Sequence, residues 1–344
     1  MSAGVQSMQQ DLLTTVDRVC EAHCDRALRE AAEAGTWPAA LWEAFEEVGL
    51  PRAALPESAG GAGLDFADAM LALRRSAFHA APVPLAETIL AGRMLHAAGL
   101  EVPAGAITVA PVVLVDSLKV NSKTVTGEAH RVPWGDQCSH AVVAGDDEIG
   151  LVSATSIATE RNLAGEPRAR LRFDSAPLVA FARLPGARAR LELEGALARS
   201  VQMAGALERA LDQALGYANE RVQFGRPIGK FQAVQHMLAI LAGQVAAAIA
   251  AAEGGVEASA RAPDEFAVAV AKSRAGEAAG RGAEIAHQVH GAMGFTREHS
   301  LHYCTRRLWS WRDEFGNESY WQQRLGRKVA AAGADALWPM LTRS

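Results

Sequence analysis

The chain has 344 residues, 49% of them hydrophobic and 21% charged, with a formal net charge of -5 and a pI near 6.1. These values suit a globular protein of two or three packed units and exclude the basic balance that nucleic acid or an anionic membrane surface selects. No run reaches the roughly 18 apolar residues of a membrane span and the first ten residues are polar, so neither membrane insertion nor a signal peptide is expected and the protein is read as cytoplasmic. Cys20, Cys24, Cys138 and Cys304 are too few and too scattered for a disulfide framework. Cys20, His23 and Cys24 sit close together on an amphipathic segment, but no second ligand pair follows at zinc-site spacing, so no metal is expected.

From about residue 11 to 105 the pattern is helical, with turns at Gly35-Thr36-Trp37-Pro38 and from Pro56 to Gly63. The glycine-rich stretch before Phe66, Met70 and Leu73 lacks a preceding strand and a lysine, and so predicts a tight turn rather than a phosphate loop. Between about 106 and 185 the period shortens to two. Ile107 to Val109, Val112 to Val115, Lys123 to Thr126, His140 to Ala144 and Ile149 to Val152 predict a small antiparallel β unit. From about 187 the chain is helical to the end, with its main interruption expected from Gly254-Gly255 on to Pro263. Dense alanine in 239–286 predicts a four-helix bundle with small residues at its seams. The expected units are 1–105 (helical), 106–185 (β) and 186–344 (helical bundle), a mixed α+β multidomain fold.

Inside the last unit, Arg221-Val222-Gln223-Phe224-Gly225-Arg226-Pro227-Ile228-Gly229-Lys230-Phe231-Gln232 breaks one helical run, and Val234, Met237, Leu238 and Leu241 begin another. A turn that gathers two arginines, two glutamines and aromatic rings suits a large, partly anionic, partly planar ligand, or else a polar helix-hairpin tip. The pattern R-x-Q-F-G-x-P-I-x-x-F-Q-x-V-Q-H resembles the signature of the acyl-CoA dehydrogenase family. The segment from Leu41 to Leu64 is similar to that family's N-terminal helical domain, and Gln288-Val289-His290-Gly291-Ala292-Met293-Gly294-Phe295 is similar to its second flavin signature.

The resemblance implies an N-terminal helical domain, a middle β-barrel and a C-terminal four-helix bundle that forms an oligomer interface. It implies FAD as cofactor, an acyl-CoA substrate, an electron-transferring flavoprotein as acceptor and a homo- or hetero-oligomer. By position it assigns Arg221 and Gln223 to the pyrophosphate of FAD across a subunit interface, with Phe224, Phe231 and Gln232 lining the same cofactor. Gln288, Gly291 and Ala292 are assigned to the neighbouring subunit's FAD, and His290 to the turn. The family's usual flavin-side motifs in the β domain are not present in normal form. The best match, Val132-Pro133-Trp134, places Trp134 at the isoalloxazine, although Pro133 has no N–H to donate.

The family's reaction removes a proton alpha to a thioester carbonyl and passes a hydride from the beta carbon to the flavin, so it needs a carboxylate base in a dry pocket. In most members that base is the glutamate of an E-G-T triplet, and here Phe315-Gly316-Asn317 occupies the triplet, which puts Asn317 at the cofactor. A minority carry the base on an earlier helix, at the position of Gly195. The neighbouring carboxylates are Asp313, Glu314 and Glu194, with Glu314 ranked first because a loop shift can bring it into range. The alternative is that Asp313 and Glu314 pair with Arg306, Arg307 or Arg312 as a surface network. Three functions follow: a dehydrogenase with a displaced base, a partner subunit that builds half of a flavin site, favoured by the missing base and by a length below the family's usual size, and a flavin monooxygenase on the same fold.

Overall fold

Five helices open the chain: α1 (Ala3–His23), α2 (Arg26–Ala34), α3 (Ala39–Glu47), α4 (Phe66–Phe78) and α5 (Leu85–Ala97). The computed structural model describes residues 3–342, so Met1 and Ser2, within the stretch read as lacking a signal peptide, and Arg343 and Ser344 lie outside the described residues. Asp25 starts α2 by accepting the Leu28 N–H at 2.8 Å, and Gly35 ends it at φ 111°, a backbone angle that favours glycine. The glycine-rich segment is a tight turn; a Cβ on Gly61 would lie 2.1 Å from the Leu55 carbonyl oxygen.

Eight strands follow: β1 (Ile107–Ala110), β2 (Leu118–Val120), β3 (Thr124–Pro133), β4 (His140–Ala144), β5 (Glu148–Ser153), β6 (Ser156–Arg161), β7 (Pro167–Pro177) and β8 (Ala180–Arg183). They form two four-stranded sheets, ordered β1-β4-β5-β8 and β2-β3-β7-β6. Leu118, Val125 and Leu171 of one sheet share a core with Val143 and Val152 of the other. The expectation of a wholly antiparallel unit needs correction, because β1 runs parallel to β4 with Ile107 opposite His140. After β1 the chain crosses to the second sheet for the β2–β3 hairpin and then re-enters the first in its original direction.

The remainder is helical: α6 (Ala187–Glu220), α7 (Gln232–Ala258), α8 (Glu265–His290), α9 (Leu301–Asp313), α10 (Glu318–Ala332) and α11 (Leu337–Thr342). A two-residue hairpin, β9 (Val222–Gln223) with β10 (Arg226–Pro227), joins α6 to α7. Gly254 and Gly255 do not interrupt the bundle as expected. α7 runs through both to Ala258, and the break is Ser259 to Asp264. Gly255 is instead a close helix crossing, where a Cβ would meet Leu197 Cδ1 at 2.9 Å and the Ala271 Cβ at 3.1 Å. The expectation that no run is long and apolar enough to span a membrane needs correction: α7 is, by length and composition, and only 22% of its apolar window is buried within this chain.

Two glycines of α6 make opposite predictions. A Cβ on Gly205 would lie 2.1 Å from the Arg74 carbonyl of α4, whereas one on Gly216 meets nothing within 4 Å. Gly205→Ala is expected to lose about 1–3 kcal/mol through backbone displacement, and Gly216→Ala to gain about 0.5–1 kcal/mol in helix propensity. Denaturant midpoints of the two variants check this; equal shifts of one sign would contradict the packing.

Candidate functional site

The stretch from Arg221 to Gln232 stands out from the body of the bundle. Arg221 caps the end of α6, its amide donating to Tyr217 O at 2.9 Å, and its carbonyl accepts the Ile228 amide at 2.8 Å, which closes the turn. Phe224 adopts φ 51° and is 92% exposed, a conformation and an exposure that an aromatic residue does not adopt for the sake of its own chain. Its ring meets Phe231 edge-on at 6.1 Å, and the Arg226 guanidinium sits 4.3 Å from the Phe231 ring centre. Arg221, Gln223 and Gln232 are exposed, and among the described residues neither Arg221 nor Arg226 pairs with a carboxylate. Free guanidiniums beside the exposed Phe224 ring and the half-buried Phe231 ring fit the pyrophosphate and planar parts of FAD.

The second signature lies at the same end of the bundle. His290, the last residue of α8, is buried and stacks on Tyr217 of α6 at 4.7 Å, with Nδ1 2.7 Å from Ala286 O. That contact ties the two signature segments together and makes His290 a structural residue of the turn. Gly291 follows at φ 58°, and Gln288, Gly291 and Ala292 are exposed. Both signatures therefore present an open surface, as a site completed by another chain requires.

The two base positions meet in space. The Phe315 ring, buried and on a backbone at φ 54°, lies directly over Gly195; a Cβ on that glycine would be 2.4 Å from the ring. A phenyl ring thus fills the space between the two backbone positions from which either carboxylate would project. Glu194, one residue away, is buried and faces a different side of α6, where it accepts from Arg190 Nε at 2.9 Å and lies 3.6 Å from Arg93 Nη2. Asp313 is exposed, and Asn317 caps α10 by accepting the Tyr320 amide at 3.0 Å.

Glu314, ranked first as a displaced base, is a buried anchor. Its Oε1 accepts from Arg168 Nε and its Oε2 from Arg199 Nε, both at 2.7 Å. Arg199 also reaches Glu87 of α5 at 2.5 Å, and Arg168 reaches Glu166 at 3.0 Å. Glu166 further meets Arg307 of α9 at 3.2 Å and accepts the Trp311 indole N–H at 3.1 Å. The expected surface partners lie elsewhere, Arg306 on Glu33, Arg307 on Glu166 and Arg312 on Glu318. Burial pushes the Glu314 carboxyl up, but Arg168 and Arg199 outweigh it and hold the group below its ordinary value. A carboxylate held ionised in this way binds its arginines and is a weak proton acceptor.

Trp134 also departs from expectation. It is buried, its amide donates to Pro167 O at 3.1 Å, and its ring meets Trp37 edge-on at 6.4 Å, so it belongs to the core. What lines the cleft beside Phe315 is the loop after β1: Val112 to Val115 border a cavity of about 290 Å³ together with Arg131, Asp313, Glu314, Asn317 and Tyr320. Val112 to Val115, expected as a strand, form this loop instead, and of the network's arginines Arg307 was singled out from sequence but Arg168 and Arg199 were not. Arg199 inside the apolar run Leu197-Ala198-Arg199-Ser200-Val201 is the signal that would have found the network. Cys20 and Cys24 are buried thiols whose pKa burial raises, and among the described residues no group of ligands suits a metal.

The network sets an acid limit. Burial raises the Glu166 carboxyl, but Arg307 and Arg168 outweigh it and hold the group at about 2, with Glu314 shifted in the same direction. Both values lie below those of the unfolded chain, so this stability is present above about pH 4.5 and lost as the pH falls toward 2. Glu166→Gln is expected to cost about 3–5 kcal/mol at pH 7 by leaving buried arginines unpaired, and to flatten the acid limb of the stability curve. Denaturant titrations from pH 3 to 7 check both; an unchanged acid limb would contradict the assignment.

The sequence families described as acyl-CoA dehydrogenase N-terminal domain and acyl-CoA dehydrogenase C-terminal domain match residues 6–102 and 188–318. Acyl-CoA dehydrogenase IpdE2 of Mycobacterium tuberculosis is 30% identical over 303 residues, covering 87% of this chain and 90% of that protein. IpdE2 of Mycolicibacterium smegmatis is also 30% identical, over 311 residues and 88% and 92% of the two chains. Among solved structures, the ChsE4-ChsE5 complex from Mycobacterium tuberculosis superposes with a TM-score of 0.82 at 25% identity, over 95% of this chain and 98% of that one. A variant of the Tcur3481-Tcur3483 steroid ACAD gives 0.86 at 24% identity, over 95% and 99%. The chain belongs to the acyl-CoA dehydrogenase family of FAD-dependent oxidoreductases, as a dehydrogenase of acyl-CoA thioesters or a subunit of one.

Proposed function

We propose that this chain is the base-less subunit of a heteromeric acyl-CoA dehydrogenase, supplying half of a flavin site to a partner that carries the glutamate. The observation that carries this reading is the Phe315 ring against Gly195, which removes both base positions at once. The Glu314 carboxylate, engaged by Arg168 and Arg199, offers no substitute. Two structural neighbours, ChsE4-ChsE5 and Tcur3481-Tcur3483, were solved as pairs of different proteins, which supports a two-chain assembly. The weakly buried apolar face of α7 supports it too, since a partner helix would cover that face.

In this assembly Arg221 and Gln223 would hold the pyrophosphate of the cofactor, with Phe224 and Phe231 against its planar parts. Gln288 and the Gly291-Ala292 backbone would close the same site, and Asn317 would lie at the cofactor beside the plug. FAD supplies the hydride acceptor for the beta carbon. The alpha proton would leave to the partner's carboxylate: of the two carboxylates that line this chain's cleft, Glu314 is engaged by two arginines and Asp313 lies exposed to solvent. The steroid ACAD among the neighbours supports a bulky steroid-side-chain acyl group, and the family's habit supports an electron-transferring flavoprotein as acceptor and a cytoplasmic location.

Two outcomes are expected. Arg221→Ala should weaken FAD retention at least tenfold, from the loss of a charge-assisted contact to a diphosphate, with folding and assembly unchanged; undiminished retention, read from flavin absorbance after gel filtration, would sink the assignment. Purified alone, the chain should dehydrogenate a panel of acyl-CoAs about 10²–10⁴-fold more slowly than with a glutamate-bearing protein encoded beside it. Full activity of the homomer, abolished by Glu314→Gln, would establish the displaced-base reading instead.

A further inference from the structure

Lys272 lies within α8 and is fully buried, yet no carboxylate among the described residues lies within ion-pair distance of its Nζ. Its nitrogen donates to Arg312 O at 2.6 Å and to Gly316 O at 2.7 Å, the carbonyls at either end of the segment that carries Asp313, Glu314 and Phe315. Other groups complete the hold on this segment. Trp321 Nε1 donates to Phe315 O at 2.9 Å, and the Arg312 guanidinium engages Glu318 across the loop. Such fastening is needed, since φ is 54° at Phe315 and 85° at Gly316, and a phenylalanine does not rest in that region unassisted.

We propose that Lys272 is the positioning residue of the loop from Asp313 to Asn317: its two hydrogen bonds hold the Phe315 ring over Gly195 and set Asn317 on the outer face. The loop's meaning as plug and cofactor contact rests on the function proposed above, whereas the latch itself does not.

The proton count fits. A neutral amine has two N–H groups and two carbonyls receive them, whereas an ammonium would bring a third N–H for which the described residues offer no acceptor. Burial pulls the lysine down to about 7, offset in part by Glu314 and Asp313 of the loop and Glu318 of α10, and reinforced by Arg199 of α6. Arg312, at the end of α9, whose carbonyl accepts from Lys272, has its guanidinium paired with Glu318. The closed loop therefore binds the proton less tightly than an open one, whose lysine returns toward 10.5. Between pH 7 and 10 the open loop binds more protons, so closure strengthens as the pH rises and is weakest below 7.

Hydrogen exchange on the purified chain, read by mass spectrometry and corrected for the intrinsic rate at each pH, tests this without partner or flavin. Peptides over 313–317 report the loop, where the Glu314 amide donates to Trp311 O at 3.3 Å, and peptides over 275–279 of α8 serve as control. In the wild type, loop protection should rise about tenfold or more between pH 7 and 9 while the control stays level. Lys272→Met, which keeps the aliphatic stem, should lose at least tenfold of loop protection at pH 8 together with the pH dependence. Flat wild-type loop protection, or loop and control moving together, would overturn the proposal. If Lys272→Met does not fold, the wild-type pH profile alone decides.

Discussion

Six buried charges hold this protein together where its three units meet. Glu87 comes from α5, Glu166 and Arg168 from the entry to β7, Arg199 from α6, and Arg307 and Glu314 from α9 and its end. Three arginines and three glutamates balance, so the cluster carries no net charge into the interior. Each member has a partner at salt-bridge distance, which is the condition under which buried charge is tolerated. Any relative movement of the helical layer, the β unit or the bundle would leave one of these groups unpaired.

That constraint decides what the cleft can do. Holding Glu314 on two arginines turns its carboxylate inward, and the next residue, Phe315, is then directed onto Gly195. The same fastening that joins the units thus fills the place where proton abstraction would start. The surface around Arg221, Phe224 and Gly291, by contrast, stays open. A chain with a closed centre and a prepared outer surface makes physical sense when another chain supplies the centre.

Much of this was legible in the sequence, and the reasons differ from place to place. The helix-turn-helix at Arg221 to Gln232 was readable because glycine and proline punctuate it and its residue types are specific. The succession of helices, strands and helices was readable because hydrophobic period changes near residues 106 and 187. That Phe315 and Gly195 stand at the two base positions was implied by the family resemblance, though their contact was not, since 120 residues separate them. The partners of Glu314 were illegible for a related reason: Arg168 and Arg199 come from other units, and pattern reading pairs charges with their sequence neighbours. Trp134 was assigned to the flavin as the best match to a family motif that this chain lacks in normal form, whereas it lies buried with Trp37 as an aromatic partner. Gly254-Gly255 was read as a break because two glycines lower helix propensity, but tight packing against Leu197 and Ala271 overrides that cost.

The claim that this chain has no base of its own is most directly tested by alpha-proton exchange, which needs a base but no electron acceptor. Acyl-CoA would be incubated in deuterium oxide with the FAD-supplemented chain, and deuterium at the alpha carbon followed by mass spectrometry. The account predicts incorporation no faster than the uncatalysed background. Rapid incorporation by the chain alone, lost in Glu314→Gln, would contradict it.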